Sequence, residues 1–310
     1  MKFVIEKNAF LDVLQAAINA VPNKSTIQIL NNFALRLEGN FLEVSATDLN
    51  LGIRVKVEVQ GERDGSVVIN ARKLLDLVKS LVDPSITNVT FDVQDYLATI
   101  QWSAKGKASI SGIDASDFPP FPEVSEGESL NFAASELAFL AEKTTFACST
   151  DTIRLNLNGV YLEAKDGVIS MIATDGHRLG RASIEQEGAN LTNGAIIPKK
   201  ALQLILHMVK PDATVEVRTS ATHILFNTGS TQVISKLFEG PYPNYRAVIP
   251  QNFERTVQMN TVEFQNKMRS VIAMANVRTH KVRLQIDGNN MELSASDPDV
   301  GGDSREALAV

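Results

Sequence analysis

Hydrophobic and polar residues alternate along much of the chain, as they do in strands that bury one face and expose the other. The clearest run is 51–59, where Ile53, Val55 and Val57 are separated by other side chains, most of them charged. Similar runs occupy 1–5, 33–37, 41–46, 86–93, 97–102, 107–112, 130–133, 159–163, 167–171, 215–218, 223–227 and 232–239. The pattern predicts antiparallel sheets as the main element of the fold.

Five other stretches have apolar residues three and four positions apart, which is the spacing of one helix face. Asn8 and Ser135 are polar residues that can cap the first turn of two of these helices. The predicted helices are 8–18, 71–82, 135–146, 199–209 and 262–275. Strands and helices together predict an α+β protein.

Three aspartates mark equivalent positions in a repeat of whole domains. Asp48, Asp175 and Asp297 each end an Ala-Thr-Asp or Ala-Ser-Asp motif, and they are 127 and 122 residues apart. Each motif follows a strand, a glycine-containing hairpin turn and a second strand. Segments rich in proline and aromatic residues separate the copies and read as linkers. The repeat predicts domains at 1–124, 129–250 and 253–310.

The third copy is expected to be incomplete, because by comparison with the first two it lacks about 60 residues. Its predicted elements are a strand at 255–259, the helix at 262–275 and strands at 282–286 and 291–295. Since no further strand is predicted, the strand at 291–295 should keep an unpaired edge. Val271, Ile272 and Met274 should be partly bare, and the chain should be mainly monomeric or aggregation-prone.

Composition indicates a folded protein of a reducing compartment. The 310 residues are 44% hydrophobic and 21% charged, and Cys148 is the single cysteine, which excludes a disulfide framework. Charged residues near Met1 argue against a signal peptide, and no apolar run is long enough to span a bilayer. Cytoplasmic localisation is therefore expected. A net charge of −6 disfavours binding of nucleic acid over the whole surface.

Candidate catalytic chemistry is sparse. The four histidines have no metal-ligand spacing, and no phosphate-binding glycine loop is present, so neither a metal nor a cofactor is predicted. The segment Asp175-Gly176-His177-Arg178 could hold an Asp–His pair that acts as a general base. Alternatively, Asp175 caps a turn of its own backbone, which explains an aspartate in all three copies. Turn capping does not explain why only the middle copy continues with Gly-His-Arg-Leu.

Two equivalent helices are basic although the protein is acidic. The helix 71–82 carries three cations against one acid, and the helix 199–209 with its flanking Lys210 carries three cations and no acid. Lysine on a helix is usually only a solvated face. Its recurrence in successive copies suggests a surface that meets phosphates.

Several motifs resemble the bacterial sliding clamp, the beta subunit of DNA polymerase III. They are Met1-Lys2-Phe3, Ile69-Asn70-Ala71-Arg72-Lys73, Leu157-Asn158-Gly159, Ala173-Thr174-Asp175-Gly176-His177-Arg178-Leu179 and Pro243-Asn244-Tyr245-Arg246. The resemblance implies tandem repeats of the DNA-clamp fold, with antiparallel sheets outside and two helices per complete domain inside. It implies two chains that close head-to-tail around duplex DNA. Such a ring is not an enzyme; it tethers replicative and repair polymerases and is opened by a clamp loader.

The resemblance also assigns sites by position. The partner-peptide pocket falls on Leu157, Thr174, Gly176, His177, Arg178, Leu179, Pro243 and Val248. DNA contacts fall on Lys24, Arg72, Leu155 and Asn156, with Arg154, Lys199 and Lys200 as basic neighbours, and on Asp151, whose charge opposes phosphate. The homodimer interface is assigned to Leu77, Leu81 and Ile110 in the first domain.

Three functions remain open at this point. The first is a processivity clamp that encircles DNA. The second is a truncated clamp that only binds partner peptides and closes no ring. The third is an enzyme built on Asp175 and His177. The resemblance favours the first.

Overall fold

A computed structural model describes residues 1–124, 127–151 and 153–310, which form two compact units, Met1–Tyr242 and Pro243–Val310. The helices are α1 (Lys7–Ala17), α2 (Ala71–Ser80), α3 (Ala134–Glu142) and α4 (Lys199–Met208) in the first unit and α5 (Thr261–Ile272) in the second. The strands of the first unit are β1 (Lys2–Glu6), β2 (Asn32–Glu38), β3 (Phe41–Thr47), β4 (Leu51–Glu58), β5 (Gln60–Arg63), β6 (Gly65–Asn70), β7 (Asn88–Gln94), β8 (Leu97–Gln101), β9 (Lys107–Ile113), β10 (Glu128–Ala133), β11 (Gly159–Lys165), β12 (Val168–Thr174), β13 (Leu179–Glu185), β14 (Ala195–Pro198), β15 (Thr214–Thr219), β16 (His223–Asn227) and β17 (Thr231–Lys236). Those of the second unit are β18 (Arg283–Asp287), β19 (Asn290–Asp297) and β20 (Gly302–Ala309).

Every strand pairing among the described residues is antiparallel, as predicted. The largest sheet has the order β10-β15-β16-β17-β4-β3-β2-β6-β9-β8-β7-β1-β5, and the two smaller sheets are β13-β12-β11-β14 and β18-β19-β20. Strand β17 of the second sequence copy pairs with β4 of the first, with Ser235 opposite Leu51. A continuous sheet therefore joins the first two copies.

The core of the first unit contains a cluster of three phenylalanine rings. Phe3 on β1 stacks on Phe91 of β7 at 5.1 Å between ring centroids, and both rings meet the edge of Phe10 from α1. All three side chains are fully buried. Aromatic burial of this kind fixes the helix against the sheet, because stacked and edge-on rings add to the hydrophobic gain.

The repeat predicted from the sequence is confirmed in the strand topology. A three-stranded antiparallel meander occurs as β2-β3-β4, as β11-β12-β13 and as β18-β19-β20. In each meander the aspartate of the motif lies at the second connection. The first copy adds α1 and α2 and the second adds α3 and α4, which gives two helices per copy, while the third contributes α5.

Both predicted helix caps are wrong. Helix α1 begins at Lys7, and the carboxylate of Glu6 accepts from the backbone nitrogens of Asn8 and Ala9 at 3.1 and 2.9 Å, so Glu6 and not Asn8 is the cap. Helix α3 begins at Ala134, one residue before Ser135. Its first turn is closed from inside the helix, because the Glu136 carboxylate accepts from the Ala133 backbone nitrogen at 2.8 Å.

The third copy departs most from its prediction. Residues 255–259 are not a strand, while β20 forms where a polar tail was expected. Strand β20 pairs with β19 along its whole length, from Asn290 opposite Ala309 to Asp297 opposite Gly302. The expected unpaired edge on 291–295 is therefore wrong. The residue pattern did not predict β20, because its charged residues Asp303, Arg305 and Glu306 lie among small residues and no apolar stripe marks the strand.

Helix α5 covers the small sheet only in part. Val271 is fully buried with Met291 and Leu293, contrary to the expectation that it would be bare. Ile272 and Met274 are each 46% exposed, as expected. A single helix buries one stripe of residues and leaves the flanking apolar residues in contact with water.

Candidate functional site

The three aspartates of the repeat cap three turns, which we call the first turn (47–51), the second turn (174–178) and the third turn (296–301). In the second turn, Asp175 Oδ1 accepts from the backbone nitrogens of His177 and Arg178 at 2.9 and 3.0 Å. Thr174 Oγ1 accepts from the Gly176 nitrogen at 3.1 Å and donates to the Arg178 carbonyl at 2.7 Å. Gly176 has φ +90°, a conformation that a residue without Cβ adopts most easily.

The first turn has the same hydrogen bonds. Asp48 Oδ1 accepts from the nitrogens of Asn50 and Leu51 at 3.0 and 2.7 Å. Thr47 Oγ1 accepts from the Leu49 nitrogen and donates to the Leu51 carbonyl, each at 3.0 Å. Leu49 has φ +74° and so corresponds to Gly176. Turn capping, the simpler of the two readings of Asp175, is the one that the geometry supports.

The Asp175 carboxylate is committed to this turn. The backbone hydrogen bonds from His177 and Arg178, aided by the Arg178 guanidinium, lower the pKa of Asp175 to about 2. Its second oxygen accepts from Arg178 Nε at 3.0 Å. Both oxygens of the carboxylate are thus occupied by backbone and guanidinium donors, and the imidazole of His177 is exposed. This arrangement stabilises the turn and does not orient a general base.

Arg178 is the centre of an exposed cluster. Its guanidinium lies 5.9 Å from the ring centroid of Phe146, which is 51% exposed. Arg154 lies close to the same turn, since a Cβ placed on Gly176 would lie 3.7 Å from Arg154 Nη1. Sequence reasoning missed Phe146, because it was assigned to the end of a helix and nothing in the pattern showed which way an aromatic residue after a helix would face.

Five of the six predicted pocket residues of the first unit belong to the second turn or follow it directly, and Leu157 lies in the separate segment 155–157. Leu157 is buried at 5% exposure, and Leu179, opposite Thr174 in the β12–β13 pairing, is half-buried. Gly176, His177 and Arg178 are exposed. Pro243 and Val248 belong to the second unit, where Val248 is 70% exposed.

Two predicted DNA-binding residues come from distant parts of the sequence and meet at one loop. Arg72, in the first turn of α2, donates to Asn23 Oδ1 at 3.2 Å and to the Pro22 carbonyl at 3.4 Å. Lys24 follows directly in this loop and is exposed. Arg72 therefore holds the loop that carries Lys24, and the two cations lie on the same surface.

Lys199 and Lys200 have different surroundings although both begin α4. Lys200 Nζ lies 3.1 Å from Asp48 Oδ2, so its charge is partly used in an ion pair with the first turn. Lys199 is half-buried near Cys148. Burial raises the pKa of the Cys148 thiol to about 11, and the positive charge of Lys199 opposes this rise. Cys148 is therefore a protonated core residue.

Arg154, Leu155 and Asn156 form a short segment that is held by one contact close in sequence and by one hydrogen bond to a distant residue. Arg154 Nε is 3.3 Å from Asp151 Oδ2, and Asn156 Nδ2 donates to the Pro241 carbonyl at 3.0 Å. Leu155 is 52% exposed. The backbone nitrogen of Ile153 is the largest of the influences that lower the pKa of Asp151, with Arg154 contributing, so this carboxylate is charged at neutral pH.

The predicted interface residues differ in accessibility. Leu77 on α2 and Ile110 on β9 are half-buried against the core, whereas Leu81 is 7% exposed. Leu77 and Ile110 thus keep exposed surface, and Leu81 contributes mainly to the core of this chain.

Metal chemistry and membrane insertion find no support in the described part of the chain. Among residues 1–124, 127–151 and 153–310, no three or more His, Cys, Asp or Glu side chains are grouped so as to hold a metal ion. The helices formed by these residues are all too short or too polar to cross a membrane.

Comparisons with known proteins agree over nearly the whole chain. The family model described as DNA polymerase III beta subunit, N-terminal domain, matches residues 1–122, and the model described as DNA polymerase III beta subunit, central domain, matches residues 131–244. The beta sliding clamp of Synechococcus elongatus is 30% identical over 316 residues, which cover 99% of this chain and 84% of that protein. The beta sliding clamp of Vibrio cholerae is 28% identical over 301 residues, which cover 96% of this chain and 81% of that protein.

Solved structures show the same fold. The DnaN sliding clamp of Pseudomonas aeruginosa bound to griselimycin has a TM-score of 0.92 at 26% identity, over 100% of this chain and 84% of that one. The DnaN sliding clamp of Bartonella birtlesii bound to griselimycin has a TM-score of 0.92 at 29% identity, over the same shares of the two chains. Fold and comparisons together define a DNA sliding clamp, which is a non-catalytic accessory protein of a DNA polymerase. The chain belongs to the bacterial beta sliding clamp family, the beta subunits of DNA polymerase III.

Proposed function

We propose that the chain acts in the bacterial cytoplasm as a processivity factor, which encircles duplex DNA and tethers replicative and repair polymerases to it. The observation that carries the proposal is the structural match to DnaN sliding clamps over the full length of this chain at a TM-score of 0.92. The domain ranges 1–124, 129–250 and 253–310 remain our proposal for the three repeats of the clamp. Contact between two chains through Leu77, Leu81 and Ile110 also remains a proposal.

The DNA surface is centred on Lys24 and Arg72. Both side chains are exposed, and the hydrogen bonds from Arg72 to residues 22 and 23 fix the position of the loop. Contacts from such cations to phosphate depend on charge and carry no information about base sequence. A clamp that slides needs contacts of this kind. Lys199, Arg154, Leu155 and Asn156 are secondary candidates, and Lys200 contributes less because of its ion pair with Asp48.

Charge reversal tests the DNA surface. The double variant Lys24→Glu and Arg72→Glu should weaken binding to short duplexes of different sequence equally. The slope of log affinity against log salt should fall by about 2, since each lost phosphate contact removes about one unit. Lys165→Glu, at the exposed end of β11, is the matched control and should change the slope much less. A loss that depended on the DNA sequence would contradict the proposal.

Partner peptides are proposed to bind at the second turn. The half-buried Leu179, the buried Leu157 and the exposed Arg178 and His177 supply an apolar floor and a polar rim. Thr174 and Gly176 set the shape of the loop through the hydrogen bonds of the turn. Pro243 and Val248 belong to the second unit, and their part in partner binding stays a prediction from the sequence alone.

Griselimycin is a suitable probe, because the clamps of Pseudomonas aeruginosa and Bartonella birtlesii are bound to it in solved structures. We expect this chain to bind griselimycin, and Leu179→Asp should weaken binding by a factor of about 30 or more, as for the loss of an apolar anchor. The control is Leu49→Asp, which places the same charge on the exposed leucine of the first turn. Equal affinities of native protein and Leu179→Asp would reject the second turn as the site.

A further inference from the structure

A cavity lies beside the first turn, whereas the peptide site proposed above lies at the second turn. Its volume is about 340 Å³, within the range of sites that bind small ligands or side chains. Its lining residues are Asp48, Asn50, Leu51, Pro198, Lys200, Ala201, Ser235, Lys236, Leu237 and Phe238. The cavity thus lies where β4, β17 and the start of α4 meet.

The walls of this cavity are held by regular structure. Strand β17 pairs with β4, and the Lys236 nitrogen extends that contact by donating to the Asn50 carbonyl at 2.7 Å. After β17 ends, the nitrogens of Leu237 and Phe238 donate to the carbonyls of Thr222 and Ile196 at 2.8 and 3.0 Å. The shape is therefore preformed, and little ordering is needed when a ligand enters.

Apolar side chains dominate the lining and are incompletely covered. Leu51 and Ala201 are buried, at 3% and 0% exposure, and form the floor. Leu237 and Phe238 are only half-buried, although the three residues that precede Lys236 are all buried. An apolar floor with partly exposed apolar walls favours an apolar side chain as the group that enters.

The rim is mainly positive. Lys200 is paired with Asp48 at 3.1 Å, which leaves Lys236 as the unbalanced charge, since it has no ion pair among the residues that the structure describes. The amide of Asn50 is exposed at the same rim and can both donate to and accept from a peptide backbone. Charge complementarity therefore selects a ligand with a carboxylate, and the amide favours a peptide over a free acid.

We propose that this cavity is a separate peptide site, which binds a protein segment that has a large apolar side chain next to an aspartate or glutamate. The apolar side chain would enter between Leu237 and Phe238, and the carboxylate would pair with Lys236. The inference goes beyond clamp function and does not depend on peptide binding at the second turn, which lies in a different sheet from the first.

The probe is the acetylated, amidated tetrapeptide Ser-Glu-Phe-Ser, followed by nuclear magnetic resonance of the full chain. Amide shifts should be centred on Asn50, Lys236 and Phe238. Ser-Lys-Phe-Ser and Ser-Glu-Ala-Ser, which invert the charge or remove the ring, should each bind about tenfold more weakly. Absence of shifts at these amides, or equal binding of all three peptides, would overturn the proposal.

Variants separate the site from general electrostatics. Lys236→Glu and Phe238→Ala should each weaken binding of Ser-Glu-Phe-Ser about tenfold, whereas Lys165→Glu and Leu179→Asp should leave it unchanged. Thermal unfolding of each variant shows whether the fold is kept, and Lys236 is exposed enough that its replacement should not disturb it. Equal losses in Lys236→Glu and Lys165→Glu would show attraction by overall charge and overturn the proposal. A loss in Leu179→Asp would place the peptide at the second turn instead.

Discussion

The first and second turns have the same backbone but opposite surroundings. In both, a threonine and an aspartate accept the turn's N–H groups at 2.7 to 3.1 Å. In the first turn, Leu51 is buried, and the next residue, Gly52, lies under the ring of Phe121. In the second, the corresponding residues are the exposed Arg178 and the half-buried Leu179.

The second oxygen of each aspartate shows the same division. Asp48 Oδ2 binds Lys200 from the other sequence copy at 3.1 Å, which ties the turn to α4. Asp175 Oδ2 binds Arg178 of its own turn at 3.0 Å. One turn thus serves to join two copies, and the other presents its side chains to solvent. Both copies have the same hydrogen bonds to the turn backbone. The residues after the aspartate differ between the copies, and they determine whether the turn is covered or exposed.

The largest expected effect comes from replacing Gly52, which follows the first turn, with leucine, because Leu179 occupies the equivalent position after the second turn. A Cβ on Gly52 would lie 2.8 Å from Phe121 Cε2 and 3.1 Å from Ile234 Cγ2. Gly52→Leu should therefore destabilise the protein by about 2 kcal/mol, measured by urea unfolding. Phe121→Ala in the same chain should recover part of this loss, because it removes the ring that Leu would meet. Additive losses would show that the two positions do not compete for space.

Removing each aspartate cap tests whether the two turns are equivalent in energy. Asp48→Ala and Asp175→Ala should each cost about 1.5 kcal/mol, since each leaves two backbone N–H groups without their acceptor. Asn in place of either Asp keeps one acceptor oxygen and should cost less. Lys200→Met should cost less than about 1 kcal/mol, as expected of an exposed ion pair. Urea unfolding of the five variants measures these costs. A loss of stability only at Asp48 would mean that the ion pair with Lys200, and not the turn cap, stabilises the fold.

The residues at positive φ give a smaller contrast. Gly176 has φ +90°, so Gly176→Ala should cost about 1 kcal/mol. Leu49 already holds a side chain at φ +74°, so Leu49→Ala should change stability by less than about 0.5 kcal/mol. Thermal unfolding of both variants provides the measurement. A neutral Gly176→Ala would indicate that the second turn adapts its backbone.

Acid should loosen the second turn in a defined pH range. The pKa of Asp175 is lowered from 3.8 to about 2, so the folded state binds the proton less readily than the unfolded state. The charged Asp175 carboxylate stabilises the fold fully above its unfolded-state pKa of 3.8, and this stabilisation is lost as pH falls through the folded-state pKa of about 2. Hydrogen exchange at the His177 and Arg178 amides should quicken over this range, and Asp175→Asn should show no such step. A pH-independent exchange rate at these amides in the native protein, after correction for intrinsic chemistry, would contradict the assignment.

Sequence patterns predicted most of the fold because most of its elements bury one regular face. Strands such as β4 and the helix α2 were found from their periodicity, and the repeat was found from Asp48, Asp175 and Asp297. Prediction failed where the residue pattern gives no distinctive signal. Glu6 displaced Asn8 as a helix cap, and β20 has no apolar stripe to reveal it.

The residues of the proposed sites could be named from the sequence, but the distant residues that they contact could not. The motif around Asp175 marked the second turn, and the basic residues of α2 and α4 marked the surface that we propose for phosphate binding. Their partners come from far along the chain: Arg72 binds Asn23, and Lys200 binds Asp48. The sequence by itself determined the antiparallel α+β repeat and the aspartate caps, because these depend on spacing and on hydrogen bonds within a few residues. Only the tertiary structure decided which turn is covered and which is open, because that depends on the pairing of β17 with β4 and on the packing of Phe121 against Gly52.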